Sequence, residues 1–327
     1  MCKRNQDSRG VGELYDLRYT GNYMDTDAYS VWAHSGLTTQ QVLNTLSSVQ
    51  VRPQSILDYG CGVGAWFNLL SGVFPGALIH GVDISKTAIK KAKSKYPDYR
   101  LESFNGLKAP FLDAQFDLVF SYHVLEHVSD LETSIQDIAR MLMPGGYAVI
   151  IFPCGNKGSF LEQIMSLMVG SRLPAEDGRT VLFFETEDGH VRRVTSNETV
   201  AIFEKNGLKS ITTFFSGHFF GTVDWLCRGT GPAYINNMFS GKPAIGKLAK
   251  VRLELTRIIL LGFYLLISRK TLDLGKKRNL FKQLAVLLIK PMALLMDSII
   301  KGLSSLEWRF LRRQPSGTAQ YLVFRKL

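Results

Sequence analysis

The sequence predicts an α/β fold: a mostly parallel seven-stranded sheet with helices on both faces and a helical insertion between the last two strands. Three observations carry this. Between Val51 and Pro153, short β-branched or aromatic runs alternate with helical stretches, the pattern of βαβ units. A glycine-rich turn joins the first run to the first helical stretch. Two further strand patterns, Leu208–Phe215 and Gln320–Arg325, lie far apart in the chain, so their pairing would make residues 216–317 an excursion from the sheet.

In order, the strand runs are Ser55–Tyr59, Leu78–Val82, Arg100–Phe104, Phe116–Ser121 and Tyr147–Phe152. The helices between them are Ala65–Leu70, Lys86–Lys95 and Leu131–Met141, the last ended by Pro144-Gly145-Gly146, which turns the chain into the fifth strand. Ser196–Asn206 is an amphipathic helix stopped by Gly207. The organisation expected is a helical cap over 1–50, a core over 51–215 with a lid at 154–189, the insertion at 216–317 and a last strand within 318–327.

Composition narrows the class. At 46% hydrophobic residues the 327-residue chain buries a core and is not disordered. Cys2, Cys61, Cys154 and Cys227 show neither zinc-ligand spacing nor a disulfide framework. The polar stretch Met1–Gly12 lacks the apolar core of a secretion signal, so a cytoplasmic protein is expected. The net charge of +11 is concentrated: residues 247–327 hold 17 Lys and Arg against 4 Asp and Glu. The other 22 of the 39 basic residues are offset by the other 24 of the 28 acidic ones.

Glycines at 60, 62 and 64, after a strand and before a helix, let the backbone approach a ligand closely and aim a helix N-terminus at a polar group. The same spacing satisfies the dinucleotide fingerprint, and Asp83, about 20 residues on, suits a ribose in either case. Asp58 separates the readings. A carboxylate two residues before the first glycine can hold the cationic amino group of a methionine moiety, whereas it would repel a pyrophosphate.

The chain therefore resembles the class I S-adenosylmethionine-dependent methyltransferases, with a Rossmann-like core close to the quinone and small-molecule O-methyltransferases. The resemblance rests on Asp58-Tyr-Gly60-Cys-Gly62-Val-Gly64, His80-Gly-Val-Asp83-Ile-Ser85, Phe116-Asp-Leu-Val-Phe-Ser121 leading into Val124-Leu-Glu-His127-Val, and Leu142-Met-Pro144-Gly-Gly146. It covers the first half of the chain and the stretch from His190 to Gly207. It implies S-adenosylmethionine as cofactor, held by Asp58, Gly60, Cys61, Gly62, Gly64, Asp83, Ile84, Asn105 and Ser121. Asp83 would take the ribose hydroxyls and Ile84 the adenine, with Phe104 or Leu107 against the ring. Asn105 stands where the family commonly has an acid, so an amide oxygen would accept from the adenine amino group without charge assistance.

On the acceptor side the resemblance points to His123, His127 and His190 as catalytic candidates. The spacing of His123, Glu126 and His127 would put all three on one helical face. Quinone and small-RNA O-methyltransferases hold a divalent ion here with Glu-x-x-Glu-His, and His190 stands near the small-RNA branch's further ligand. In this chain His123 replaces the first Glu, and Leu-Glu-His also occurs in family members without metal. No metal is therefore the favoured reading, and His123, Glu126, His127 and His190 are the residues that would bind one. The segment between Cys154 and Gly189, with the apolar run Phe160–Val169, is expected to form a lid. The aromatics Tyr15, Tyr19, Tyr23, Tyr29 and Trp32 either close over the cofactor or pack as a simple cap.

The insertion is basic and apolar. Ile258–Ile267 is too short to span a bilayer, and Leu280–Leu303 carries Lys290, Pro291, Asp297 and Lys301. Gln283, Lys290, Asp297 and Ser304 recur at heptad spacing as a narrow polar stripe. Flanking cations (Lys276-Lys277-Arg278, Arg309, Arg312-Arg313) suit an anionic membrane surface, and residues 247–313 are read as a peripheral attachment to the cytoplasmic face of the membrane. Internal packing or a dimer interface is the alternative. A nucleic-acid face is disfavoured because aliphatic runs do not track phosphates.

The function expected is methyl transfer, O-directed, to a small-molecule, lipid-linked or glycan-precursor acceptor near the membrane. An NAD-dependent oxidoreductase, or a non-catalytic scaffold on the cofactor fold, are the rival readings.

Overall fold

The structure is a computed structural model that describes residues 8–20, 33–48, 51–228, 232–244, 246–267 and 280–327. Tyr23, Tyr29, Trp32, Gln283 and Lys276-Lys277-Arg278 lie outside the side chains it describes.

Seven strands form one sheet: β1 Ser55–Tyr59, β2 Leu78–Asp83, β3 Arg100–Ser103, β4 Phe116–Tyr122, β5 Leu142–Pro153, β6 Leu208–Ser216 and β7 Ala319–Lys326. Their spatial order is 3-2-1-4-5-7-6. The first five run parallel. β7 is antiparallel to both β5 and β6, so the two distant strand patterns do pair, with residues 217–318 between them. The strand order reverses between β1 and β4, where a ligand crevice forms outside the carboxyl ends of an open α/β sheet.

Side chains alternate across the sheet because successive residues of a strand point to opposite faces. Ile56, Leu118, Phe120, Val149, Ile151, Tyr321 and Val323 enter one core with α2 (Ala33–Ser48), α3 (Phe67–Val73) and α4 (Lys86–Lys95). Leu57, Val119, Ala148, Ile150, Leu322 and Phe324 enter the other with α5 (Leu131–Met141) and α7 (Ser196–Lys205). On that second face Phe203 of α7 stacks on Phe324 at 4.2 Å.

The helices start where side chains satisfy their first amide groups. Ser85 Oγ accepts from Ala88 N and Asp130 Oδ1 from Thr133 N, both at 3.0 Å. Thr195 and Glu198 form a reciprocal capping box at the head of α7.

Two boundaries differ from the sequence expectation. The helix after the glycine turn begins at Phe67 rather than Ala65. Pro144-Gly145-Gly146 does not precede the fifth strand but lies within β5 as an irregularity: Phe116 pairs with Leu142 while Leu118 already pairs with Tyr147. Gly145, at φ 79°, absorbs the extra residues.

A third core joins residues 160–184 to the insertion. It combines Leu161, Ile164 and Met165 of α6 (Phe160–Ser166) with Leu182 and Phe184. From the insertion come Leu226 of α8 (Phe220–Arg228), Ile235 of α9 (Pro232–Met238), Leu253 and Leu260 of α10 (Lys247–Ile267) and Ile300 of α11 (Leu280–Leu311). Residues 168–169 and 242–243 pair as short antiparallel strands across the same junction. The insertion is anchored to the sheet by Trp308, which packs on Phe214 and Tyr321. Glu307 adds a second anchor, its carboxylate accepting the amides of His218, Phe219, Phe220 and Gly221 at the start of α8.

The polar stripe of α11 runs opposite to the usual sense. Asp297 and Ser304 face the protein beside Ala293 and Ile300, Asp297 paired with Lys301 at 2.8 Å, while Lys290, Met292, Leu295 and Ile299 face outward. Buried polar groups are tolerated here because they are paired.

Candidate functional site

Asp58 ends the inward run of β1 beside the strand-order reversal. Its neighbours in register are Gly81 of β2 and Phe120 of β4. It is 1% exposed, and neither carboxylate oxygen has a hydrogen-bond partner among the described residues. Burial, reinforced by the charge of Asp83, pushes its pKa well above the ordinary aspartate range. A buried, unpartnered carboxylate is costly and calls for a cationic partner.

The turn after β1 needs its glycines for identifiable reasons. Gly60, Gly62 and Gly64 sit at φ 84°, 52° and 81°. A β-carbon on Gly60 would fall 2.1 Å from Val124 Cγ2, so the turn lies directly against the segment that follows β4. Gly60 N and Cys61 N both donate to Val82 O, which ties the turn to β2. The Cys61 side chain leaves the site for the core, where its sulfur packs at Gly81.

Asp83 closes the second strand. One oxygen accepts from Gly62 N and the other from Ser85 N, both at 2.8 Å. Burial raises its pKa to about 6 against these hydrogen bonds. Ile84 lies next in the chain, on the rim.

The first helix, α1 (Ser8–Thr20), covers this site. A β-carbon on Gly62 would come 2.5 Å from the Tyr19 hydroxyl, and one on Gly12 would touch Ile84 Cγ1 at 3.4 Å. Asp16 Oδ1 accepts from Ser85 Oγ and Thr87 N at the head of α4. Lys91 donates to Tyr19 O. Tyr19 thus packs on the glycine turn, and Tyr15, one helical turn earlier, meets Tyr19 and His127.

Two assigned residues are engaged elsewhere. Asn105 is exposed, and its amide oxygen accepts from Leu107 N at 3.1 Å in its own turn. Ser121 is buried within the sheet and donates to Tyr59 O at 3.0 Å, binding β4 to β1. Leu107 is exposed, whereas Phe104 packs edge-on to Tyr59.

The histidines converge, though not on a helix. The chain from His123 to His127 is a turn closed by His127 N donating to Val124 O, because His123 adopts φ 54°, a left-handed conformation that a helix does not admit. Such backbone strain in a non-glycine residue concentrates at functional sites. The turn brings His123 Nδ1 within 2.8 Å of Glu126 Oε1, and His127 Nε2 lies 3.8 Å from the same oxygen. His127 and His190 meet edge to face at 4.7 Å. Tyr15 of α1 approaches His127 at 5.5 Å.

The electrostatics divide these groups. Glu126 is fully buried, yet the three surrounding histidines overcome the burial and lower its pKa to about 2. Burial lowers His127 to about 4, so its ring is neutral near pH 7. The Glu185 carboxylate, 3.7 Å from Nδ1, outweighs burial at His190 and raises it. Of the three histidines, His123 is the most accessible, at 32% side-chain exposure against 14% and 12%. Because ionised Glu126 only accepts, His123 Nδ1 carries the proton toward it, which turns Nε2 away from the carboxylate.

Glu126, His127 and His190 present ligand atoms within 4.8 Å of one another. Together they could hold a metal ion; His123 occupies one Glu126 oxygen, and the other is buried without a partner among the described residues.

Sequence reasoning missed what holds this turn. Arg192 donates to the carbonyls of Leu125, Val128 and Ser129. Arg193 forms a buried pair with Glu185 at 2.7 Å and donates to Cys154 O. The adjacent arginines after His190 are visible in sequence, but arginine is ordinarily exposed, so nothing there signals burial.

The fold and site thus define a Rossmann-like protein whose glycine turn lies beside a buried carboxylate, Asp58. A methyltransferase-domain family model matches residues 57–150. An O-methyltransferase of Aspergillus nomiae, rstn1, is 30% identical over 162 residues, 43% of this chain and 69% of that protein. A malonyl-[acyl-carrier protein] O-methyltransferase of Priestia megaterium is 30% identical over 46% of this chain and 54% of its own length. The chain belongs to the class I S-adenosylmethionine-dependent methyltransferases, whose cofactor is S-adenosylmethionine. It spans 61%, 54% and 44% of three of the curated relatives it matches. Among solved structures, the cyclase SpnF shares the fold over 98% of this chain and 96% of its own, with a TM-score of 0.52 at 15% identity. A fold shared with a cyclase leaves the chemistry to be argued from the site.

Proposed function

We propose that the chain transfers a methyl group from S-adenosylmethionine to an oxygen of a small-molecule, lipid-linked or glycan-precursor acceptor at the cytoplasmic face of a membrane. The observation that carries the donor half is Asp58: a fully buried carboxylate without a hydrogen-bond partner among the described residues, at the head of the glycine turn, suits the ammonium of the methionine moiety. Asp83 suits the ribose hydroxyls, and Ile84 the adenine. When bound, the cofactor supplies an electrophilic methyl on a sulfonium.

Transfer to a hydroxyl needs a group to take its proton, and His123 is placed for that task. Glu126 orients the ring through Nδ1, leaving Nε2 for the acceptor, the role a buried carboxylate plays behind a catalytic histidine. The hydrogen bond from His123 and the nearby His190, whose own pKa is raised, favour the ionised form of Glu126. α1 and the lid exclude water from the transfer. The O-methyltransferase relatives support the choice of oxygen.

Calorimetry with S-adenosylmethionine tests the donor half: Asp83→Ala and Gly62→Arg should abolish binding, and intact affinity in both would overturn the assignment. Methyl-labelling of a cell extract tests the acceptor half. His123→Ala should lower turnover by about 10²- to 10⁴-fold while cofactor affinity holds. Unchanged turnover removes His123 from the chemistry.

A further inference from the structure

The two long insertion helices present apolar rows to solvent. On α10, Leu253, Leu260 and Tyr264 point into the third core, while Leu248, Val251, Leu255, Ile258 and Ile259 are exposed on the opposite side of the helix. On α11, Ala293, Asp297, Ile300 and Ser304 are buried, while Met292, Leu295, Ile299, Leu306 and Phe310 face outward. The helices pack against each other, and both turn their inward residues toward the same cluster, so the two outward rows lie on one side of the molecule. Both helices thus carry apolar residues on two sides, one packed in the protein and one facing solvent, and α11 adds the buried polar Asp297 and Ser304 to its inward side.

We propose that α10 and α11 form a platform that rests on an anionic lipid bilayer, with their aliphatic rows in the headgroup and acyl boundary. Charge complementarity selects this occupant. Lys247, Lys250, Arg252, Lys290 and Arg309 are exposed on these helices. Among the described residues of the pair the exposed acid is Glu254, and Arg257 holds it at 2.7 Å; Asp297 and Glu307 are buried. A second copy would bring the same positive surface against this one, whereas anionic headgroups attract lysine and arginine beside an inserted apolar face. No helix of the described residues is long and apolar enough to cross a membrane, so the platform lies on the bilayer rather than through it.

The platform also reaches the acceptor side. Its core is continuous with Leu182 and Phe184 of the lid, and Phe184 meets Tyr234 of α9 edge to face. Asn237 of α9 donates to Glu187, three residues before His190. The inference deepens the reading of a lipid-linked acceptor and rests on it only for the platform's purpose.

The test is flotation of the full chain with vesicles of phosphatidylcholine, with and without about one-third phosphatidylglycerol. The chain should float with the anionic vesicles. Ile259→Asp with Leu295→Asp, at positions 55% and 58% exposed, should reduce partitioning at least about tenfold. S-adenosylmethionine calorimetry on the same variant reports folding and the cofactor site independently. If that variant loses cofactor affinity, Leu255→Ser with Ile299→Ser replaces it and should show the same partitioning loss. Equal partitioning of variant and parent, no flotation with anionic vesicles, or a lipid-free dimer that the substitutions dissociate would each overturn the proposal.

Discussion

Tyr19 of α1 sets its hydroxyl against Gly62, at the place where a β-carbon would stand 2.5 Å away. The contact links the N-terminal helix to the tightest point of the cofactor turn across 43 residues of sequence, and it makes the geometry of each depend on the other.

Gly62→Ala should therefore displace α1 as well as strain the turn. At φ 52° an alanine costs about 1–2 kcal/mol in backbone strain, and its methyl must push Tyr19 aside. Hydrogen exchange over residues 8–20 should rise. Tyr19→Phe, which removes the clashing oxygen, should restore part of the protection in the double variant, and additive effects would show that the two residues do not share a contact.

Cofactor affinity should depend on pH through Asp58. In the free protein burial raises its pKa, so part of the population is protonated at pH values where an ordinary aspartate is ionised. The bound state needs the carboxylate. Binding therefore releases a proton, and affinity falls as pH falls, beginning above the usual carboxylate range. Calorimetry in buffers of different ionisation enthalpy reads the released proton. Asp58→Asn should weaken binding by about 10- to 100-fold and leave only the dependence from Asp83, which burial raises to about 6.

Removing one partner of the buried Glu185–Arg193 pair should be strongly destabilising. Both side chains are almost fully buried, so Arg193→Gln leaves an uncompensated carboxylate and should cost roughly 3–5 kcal/mol in urea unfolding. Arg193 holds Glu185 below the normal glutamate range, and the histidines hold Glu126 at about 2. A depressed carboxylate stabilises the fold above its unfolded pKa of about 4.3, and that contribution is lost as pH falls from there toward its folded value. The parent should therefore lose stability between about pH 4.5 and 2, with a shallower slope in Arg193→Gln. Parallel slopes would show that the pair does not carry the acid sensitivity.

Much of the cofactor half was legible residue by residue. Strand alternation, the glycines and the carboxylates at 58 and 83 are local signals, and local backbone geometry reads them. Asn105 and Ser121 were assigned from their positions in the motifs, but position says nothing about which neighbour takes a side chain's hydrogen bonds; Leu107 N and Tyr59 O do. The histidine spacing pointed to the right residues on the wrong scaffold, because a single residue at φ 54° replaces the expected helical face with a turn.

From the sequence alone followed the α/β sheet, the ordered methyltransferase motifs and the segregation of charge into the insertion, since each depends on residue type and short-range spacing. Tertiary structure decided that α1 closes on Gly62, that Glu126 gathers His123 and His127 with His190, and that α11 turns Asp297 and Ser304 inward. These depend on contacts between residues far apart in the chain and on which face of a helix finds partners. The physical reason is that a polar stripe goes wherever its hydrogen bonds and charges are satisfied, and only the folded chain determines whether that place is solvent or core.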